Sequence, residues 1–277
     1  MTDKLGILAG GGDLPRLLVD QCLAEGRPFF VILFENQADP DDFSDVPHAV
    51  VRLGAVGKSL KVLRENAVST LVLAGKVRRP SLSELRPDSV AMKFLLKTGA
   101  KSLGDDGLLR AVVSFLEEEH GFNVIGSDSL IATSTQSCGP LGALKADETA
   151  ASDIERGRDV LRIMGPADVG QAIVVQDGLV LGVEAIEGTE ALLRRCAELK
   201  RPGPGGVLVK LRKPKQETRV DLPTIGPETV QQAADAGLRG IAFDAGGMVV
   251  LRQDEVIAEA DRLGVFIEAV APLPEDD

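Results

Sequence analysis

The chain has no tryptophan, no tyrosine, two histidines and three cysteines, and no apolar run long enough to cross a bilayer. Each shortage removes a class of function. Without Trp or Tyr there is little with which to build a base-stacking platform for single-stranded nucleic acid. His48 and His120 stand apart, with no HxxxH and no carboxylate cluster around them, which excludes a His-rich dinuclear phosphoesterase and disfavours Ser/His/Asp or Cys/His catalysis. Cys22, Cys138 and Cys196 are widely spaced without a CxxC, so they read as structural thiols of a reducing compartment rather than disulfides or zinc ligands. Positive charge is also short: 31 Lys and Arg against 42 Asp and Glu leave a net charge of -11, which argues against nonspecific nucleic-acid binding. The opening MTDKLGILAGGG is too briefly apolar for a signal peptide. The expectation is a cytoplasmic protein whose membrane contact, if any, is peripheral.

What is present divides into two halves. Apolar runs at residues 5–9, 29–33, 49–53, 70–74 and 123–125 alternate with helical patterns at 15–25, 57–66, 88–97 and 106–120. That is the rhythm of a doubly wound parallel sheet, and it predicts a Rossmann-like domain over residues 1–130. Residues 127–140 are rich in Ser, Thr and Gly, and 131–140 is assigned as a linker. From 141 to 277 hairpins mix with helices. Strands are expected at 172–176 and 179–183 around Asp177-Gly178, then at 207–211, at 240–243 paired with 248–251, and at 266–270. Helices are expected at 146–164, from Thr189, at 227–236 and at 255–263, giving a mixed-sheet α/β (α+β) second domain. Residues 274–277 read as a frayed acidic tail.

Residues 206–226, GVLVKLRKPKQETRVDLPTIG, oppose the global charge. A buried strand pattern gives way to Lys210, Arg212, Lys213, Lys215 and Arg219 around Asp221. Several cations facing one carboxylate suit a phosphorylated ligand, the acid being free to hold a metal or orient water. A solvated sheet edge guarded by lysines would look similar. A second segment, VEAIEGTE at 183–190, reads as a strand end, a turn and a helix capped by Thr189. Capping accounts for Glu190 but not for Glu187, which ends an apolar strand ahead of a glycine. The third segment is the turn Gly10-Gly11-Gly12-Asp13 between the first strand and helix. Its glycines would let backbone amides approach a phosphate, although Pro15 replaces the third glycine of a dinucleotide fingerprint. A plain tight turn explains it equally well. Gly75-Lys76 also follows a parallel strand, on the side of such sheets where ligands gather.

AGGGDLP, GKVRRP (75–80), GDDGLLRAV (104–112), DVGQAIVV (168–175), EAIEGTEALLRR (184–195) and KPKQETRVDLPTIG (213–226) together resemble the LpxI-type UDP-2,3-diacylglucosamine pyrophosphatases across nearly the whole chain. Two positions differ from the expected pattern, Glu190 and Glu217 standing where Asp is common. The resemblance implies hydrolysis of UDP-2,3-diacylglucosamine to UMP and 2,3-diacylglucosamine 1-phosphate (lipid X), a step in lipid A assembly. It also implies a divalent cation, Mg2+ for preference, peripheral association with the inner membrane through the lipid-linked nucleotide sugar, and room for a homodimer.

On this reading Asp221 is the first choice for orienting water or holding the cation, with Glu187 as its companion. Lys210, Lys213 and Lys215 are phosphate contacts, and Gly10, Gly11, Gly12, Asp13, Gly75, Lys76, Thr189 and Thr224 complete the substrate site, placed in a cleft between the domains. Asp105 and Asp106 read as helix-capping acids, and His120 as a cationic helix-end residue. The apolar concentration at Val90, Ala91, Phe94 and Leu95, with Leu103, Leu108 and Leu109 beyond, either closes the first core or receives acyl chains. Two other readings remain. A noncatalytic nucleotide-sugar or lipid binding protein would dispense with Asp221. An NAD(P)-dependent dehydrogenase is disfavoured by the degraded glycine fingerprint, with Glu35 the one candidate ribose acid.

Overall fold

The computed structural model describes residues 3–78, 80–99, 104–131, 137–213, 217, 219–220 and 222–273. The chain forms two compact units: Met1–Ala132 with Glu217–Asp221, and Thr133–Gln216 with Leu222–Asp277. The cut therefore differs from a simple division at residues 131–140, because a short piece of the cationic segment belongs to the first unit.

The first unit runs β1 (Lys4–Ala9), α1 (Leu14–Glu25), β2 (Phe29–Phe34), β3 (His48–Val51), α2 (Val56–Glu65), β4 (Val68–Ala74), a single turn α3 (Leu82–Leu85), α4 (Ser89–Thr98), α5 (Asp105–Ser114) and β5 (Asn123–Val124). The sheet order is β3-β2-β1-β4-β5 and every pairing is parallel. Runs such as FFVILF in β2 make sense there, since a parallel sheet is covered on both faces and asks for apolar residues throughout. Asp88 caps α4 by accepting from the Val90 and Ala91 amides at 3.0 and 2.8 Å. Val90 and Phe94 pack onto the core with Phe115, whose ring lies 5.0 Å from that of Phe94. These two apolar residues of α4 thus close the core; Leu103 lies outside the described residues.

The second unit runs β6 (Gly139–Leu141), α6 (Glu148–Met164), β7 (Ala172–Gln176), β8 (Leu179–Val183), α7 (Gly188–Ala197), β9 (Val207–Lys210), β10 (Thr224–Ile225), α8 (Pro227–Asp235), β11 (Gly240–Asp244), β12 (Val249–Val250), α9 (Gln253–Leu263) and β13 (Phe266–Val270). Its sheet is mixed, in the order β6-β13-β11-β9-β7-β8, with β9, β11 and β13 mutually parallel. The β7–β8 hairpin turns at Asp177 and Gly178, whose φ angles of 52° and 75° are those of the turn that matches strand twist.

Three expectations need correction. The runs at 240–243 and 248–251 do not pair with each other: β11 lies between β9 and β13, while β12 pairs with β10 in a separate two-stranded ribbon. Gly139 and Pro140 are not linker but part of an edge strand on β13. Residues 127–129 form a short helical turn, and 132–136 lie outside the described residues.

Candidate functional site

In the first unit the turns after β1 and β4 are fastened together. Gly11 donates to the Lys76 carbonyl and Lys76 to the Gly11 carbonyl, each at 2.8 Å, and Gly10 donates to Ala74 at 2.8 Å. A Cβ on Gly10 would sit 2.5 Å from the Lys76 carbonyl oxygen, and one on Gly75 would sit 2.6 Å from that of Gly11. The glycines at 10, 11 and 75 are therefore required by close backbone approach. Gly12 differs: it has φ +87° and open space around it, and with Asp13 it is exposed at the start of α1. Asp13 occupies the N-cap position of α1 without a side-chain cap bond.

The piece Glu217–Asp221 is held to α5 and the widened turn that follows it, Phe115–Glu119. Asp106 accepts from the Glu217 amide at 2.9 Å and pairs with Arg110 at 3.0 Å. It is buried, and it does not serve as the helix cap; that position is Gly104. Arg219 grips both Glu217 oxygens at 2.9 and 3.0 Å and reaches Glu117 at 3.0 Å. The Arg219 guanidinium holds the Glu217 carboxyl below the usual range. Val220 packs on the same core cluster. Asp221 itself lies outside the described residues, as does Lys215. His120, expected as a cation, is shifted the other way: burial and the Arg64 guanidinium lower its pKa, and Arg64 donates to its Nδ1 at 3.1 Å.

In the second unit the predicted residues gather in two places. At the end of β9, Lys210 is buried and its Nζ donates to the Thr224 carbonyl at 3.0 Å, tying β9 to β10. Lys213 pairs with Asp168, and the Arg212 amide donates to Asp244 Oδ2 at 2.7 Å. Asp244 is buried, and its Oδ1 has no hydrogen-bond partner among the described residues. Burial pushes its carboxyl up to about 6.

The other place is the corner between β8 and α7. Thr189 is not the helix cap, because α7 begins at Gly188 with Glu187 before it; the Thr189 hydroxyl instead donates to buried Glu184 at 2.6 Å. Glu184 also accepts from the Gln171 amide at 3.1 Å. Glu187 is paired with Arg195 at 2.9 Å, and its carboxyl is lowered by its own backbone N–H and further by Arg195. Glu190 pairs with Arg194 one turn on. Among the described residues no three His, Cys, Asp or Glu side chains come together as a metal site. Glu187, with a guanidinium on its carboxylate, does not fit a cation ligand.

Asp106, Glu117, Asp168 and Asp244 were not picked out as site residues from the sequence. Asp168 had a signal, since it opens DVGQAIVV, and Asp244 had a weaker one as an acid ending an apolar strand.

These features define a two-unit α/β protein with a Rossmann-like parallel sheet in the first unit and a mixed sheet in the second. Residues 4–134 match the LpxI N-terminal domain and residues 137–268 the LpxI C-terminal domain. The chain is 44% identical to the UDP-2,3-diacylglucosamine pyrophosphatase LpxI of Caulobacter vibrioides (strain ATCC 19089 / CIP 103742 / CB 15), over 97% of this chain and 98% of that protein. The chain belongs to the LpxI family. Solved structures align only loosely. A CobK precorrin-6A reductase gives 11% identity and a TM-score of 0.32 over 99% of this chain and 91% of that one. A UDP-glucose 4-epimerase complex with NAD from Thermus thermophilus gives 16% and 0.33 over 99% and 88%. At those scores neither bears on function.

Proposed function

We propose that this chain hydrolyses the pyrophosphate bond of UDP-2,3-diacylglucosamine, releasing UMP and 2,3-diacylglucosamine 1-phosphate. The observation that carries the reading is 44% identity to the Caulobacter enzyme over 97% of the chain, with both family domains present. Water attacks the sugar-side phosphorus, the bridging P–O bond breaks, UMP departs, and the water oxygen ends in the sugar phosphate. Asp221 orients that water or takes its proton. Lys213 is already enclosed and held by Asp168, so a phosphate oxygen would exchange for a carboxylate at an ammonium kept in place. Lys215 is a second phosphate contact. A divalent cation belongs to the proposal and would neutralise phosphate charge.

The substrate is lipid-linked, and we extend the proposal to a cytoplasmic enzyme touching its membrane peripherally. No described helix is long and apolar enough to cross a bilayer. Met92 and Leu96 stand exposed one turn apart on α4, next to Lys93 and Lys97, an arrangement suited to shallow contact with lipid.

The test is incubation of purified protein with UDP-2,3-diacylglucosamine in 18O-labelled water. The label is expected in the sugar phosphate and not in UMP, and Asp221→Ala is expected to abolish UMP release while substrate still binds. Absence of UMP, or full turnover by Asp221→Ala, sinks the corresponding part.

A further inference from the structure

The first unit contains a cleft of about 310 Å³ that the residues discussed so far do not use. It opens where the strands end: Glu35 follows β2 and Arg52 follows β3, and both line it. In open parallel sheets this is the side on which ligands bind. Its volume lies at the small end of ligand sites, enough for part of a nucleotide.

The charge inside is unusual for so acidic a chain. Among the described residues three arginines, Arg52, Arg78 and Arg86, line the cleft against two glutamates, Glu35 and Glu84. Arg78 and Glu84 satisfy each other at 2.9 Å. Arg52 and Arg86 make no ion pair with any described residue; Arg52 spends one N–H on the Arg86 carbonyl at 3.2 Å. Two arginines that line one concavity and form no ion pair with a described carboxylate can offer fork-shaped donors to a phosphate. Glu35 likewise has no side-chain partner among the described residues.

The walls are built rather than loose. A Cβ on Gly54 would lie 1.8 Å from the Leu85 carbonyl oxygen, so the α3 turn rests directly on the β3–α2 corner. Asp88 locks the same corner, donating its amide to Gly54 at 2.9 Å and accepting from Gly57 at 2.7 Å. On the other side Gln37 accepts from the Arg78 amide at 2.8 Å, and its carbonyl stands 2.7 Å from where a Gly11 Cβ would be. Gln37 thus lines the cleft and also packs against the glycine-rich turn.

We propose that this cleft binds the nucleoside monophosphate half of the substrate, its phosphate on Arg52 and Arg86 and its ribose hydroxyls on Glu35. Leu53 and Leu85 supply apolar wall for the base. That the nucleoside is uridine rests on the function proposed above; the site itself rests on the two arginines, Glu35 and the anchored walls.

The test is calorimetric titration of the full chain with UMP. Arg52→Gln and Arg86→Gln are each expected to weaken binding at least tenfold, and Arg52→Lys to fall between, keeping the charge but losing the fork. Glu35→Gln should weaken UMP several-fold while leaving 2′-deoxyuridine monophosphate almost unchanged. Thermal unfolding confirms that each variant is folded. Undetectable UMP binding by the wild type, or unchanged affinity in folded Arg52→Gln and Arg86→Gln, overturns the proposal. Hydrolysis that persists alongside unchanged UMP affinity overturns the site and leaves the function standing. UMP binding through these arginines in a chain that does not hydrolyse the lipid substrate does the reverse.

Discussion

Three adjacent glycines are expected to respond to alanine in different ways, and the difference can be worked from geometry. At Gly10 the new Cβ would lie 2.5 Å from the Lys76 carbonyl oxygen and 2.9 Å from Val77 Cγ2. At Gly11 it would lie 2.7 Å from the Gln37 carbonyl oxygen. Backbone cannot rotate aside like a side chain, so at Gly10 the two fastened turns must part by most of an ångström, and at Gly11 the turn after β1 must shift as far off the Gln37 carbonyl. That strains or breaks the reciprocal 2.8 Å bonds between Gly11 and Lys76 and the Gly10–Ala74 bond. At about 1 kcal/mol per hydrogen bond plus overpacking strain, Gly10→Ala and Gly11→Ala should each cost roughly 2–4 kcal/mol. Gly12→Ala meets nothing within 4 Å and bears only its φ of +87°, about 1–2 kcal/mol. For a unit of this size the first pair should lower the melting temperature by roughly 5–15 °C, and Gly12→Ala by clearly less. Calorimetric melting of the full chain reads this directly. If Gly12→Ala, though nearly as stable as wild type, still loses turnover, the turn touches substrate as well. A Gly10→Ala protein that melts with the wild type would show that the turns are not fastened, and the reasoning would fail.

Asp106→Ala removes the acceptor of the Glu217 amide and should cost about 1–3 kcal/mol of stability; kcat should fall more than KM changes, because the segment it holds leads straight to Asp221. Unchanged kcat would mean that this grip does not position the reaction. Asp244, with a folded pKa near 6 against an ordinary value of 3.8, binds its proton more tightly in the native state. Its contribution to stability therefore falls as pH rises from about 4 to 6, by at most about 3 kcal/mol, and denaturation across that window should show the slope flattened in Asp244→Asn. Exhaustive dialysis against chelator should stop UMP release and added Mg2+ should restore it, whereas Glu187→Gln should leave the Mg2+ requirement unchanged because Arg195 already holds that carboxylate.

The fold was legible wherever the signal was local. Apolar runs of strand length alternating with amphipathic stretches gave the parallel sheet of the first unit, and Asp177-Gly178 gave the β7–β8 hairpin because only residues tolerant of positive φ suit that turn. Pairing across distance was not legible. The runs at 240–243 and 248–251 look like a hairpin, yet β11 finds better burial between β9 and β13, where all five of its residues are enclosed. Thr189 looks like a cap because a Thr often starts a helix. A buried carboxylate five residues back, Glu184, recruits its hydroxyl instead, and such a partner cannot be seen in the local sequence.

The same distinction governs the site. A sequence displays charge but not whether that charge is satisfied. The run from Lys210 to Arg219 drew attention because five cations crowd one acid, yet Lys210 is committed to the Thr224 carbonyl, Lys213 to Asp168 and Arg219 to Glu217 and Glu117. These interactions fix the loop's shape, and for Lys213 they hold an ammonium ready for exchange. Arg52 and Arg86 drew none, being 34 residues apart and each alone in its stretch, and the fold sets both in a single cleft where neither forms an ion pair with a described carboxylate. For an anionic ligand the second arrangement is the more telling, because binding there displaces no ion pair that the described residues already make. An anion at Lys213 must compete with Asp168, which favours a phosphate that arrives as part of a larger, independently held substrate. Tight binding of the nucleotide half and exchange at the reacting half are therefore expected to be separable by mutation: Arg52→Gln should raise KM chiefly, and Lys213→Gln should lower kcat chiefly.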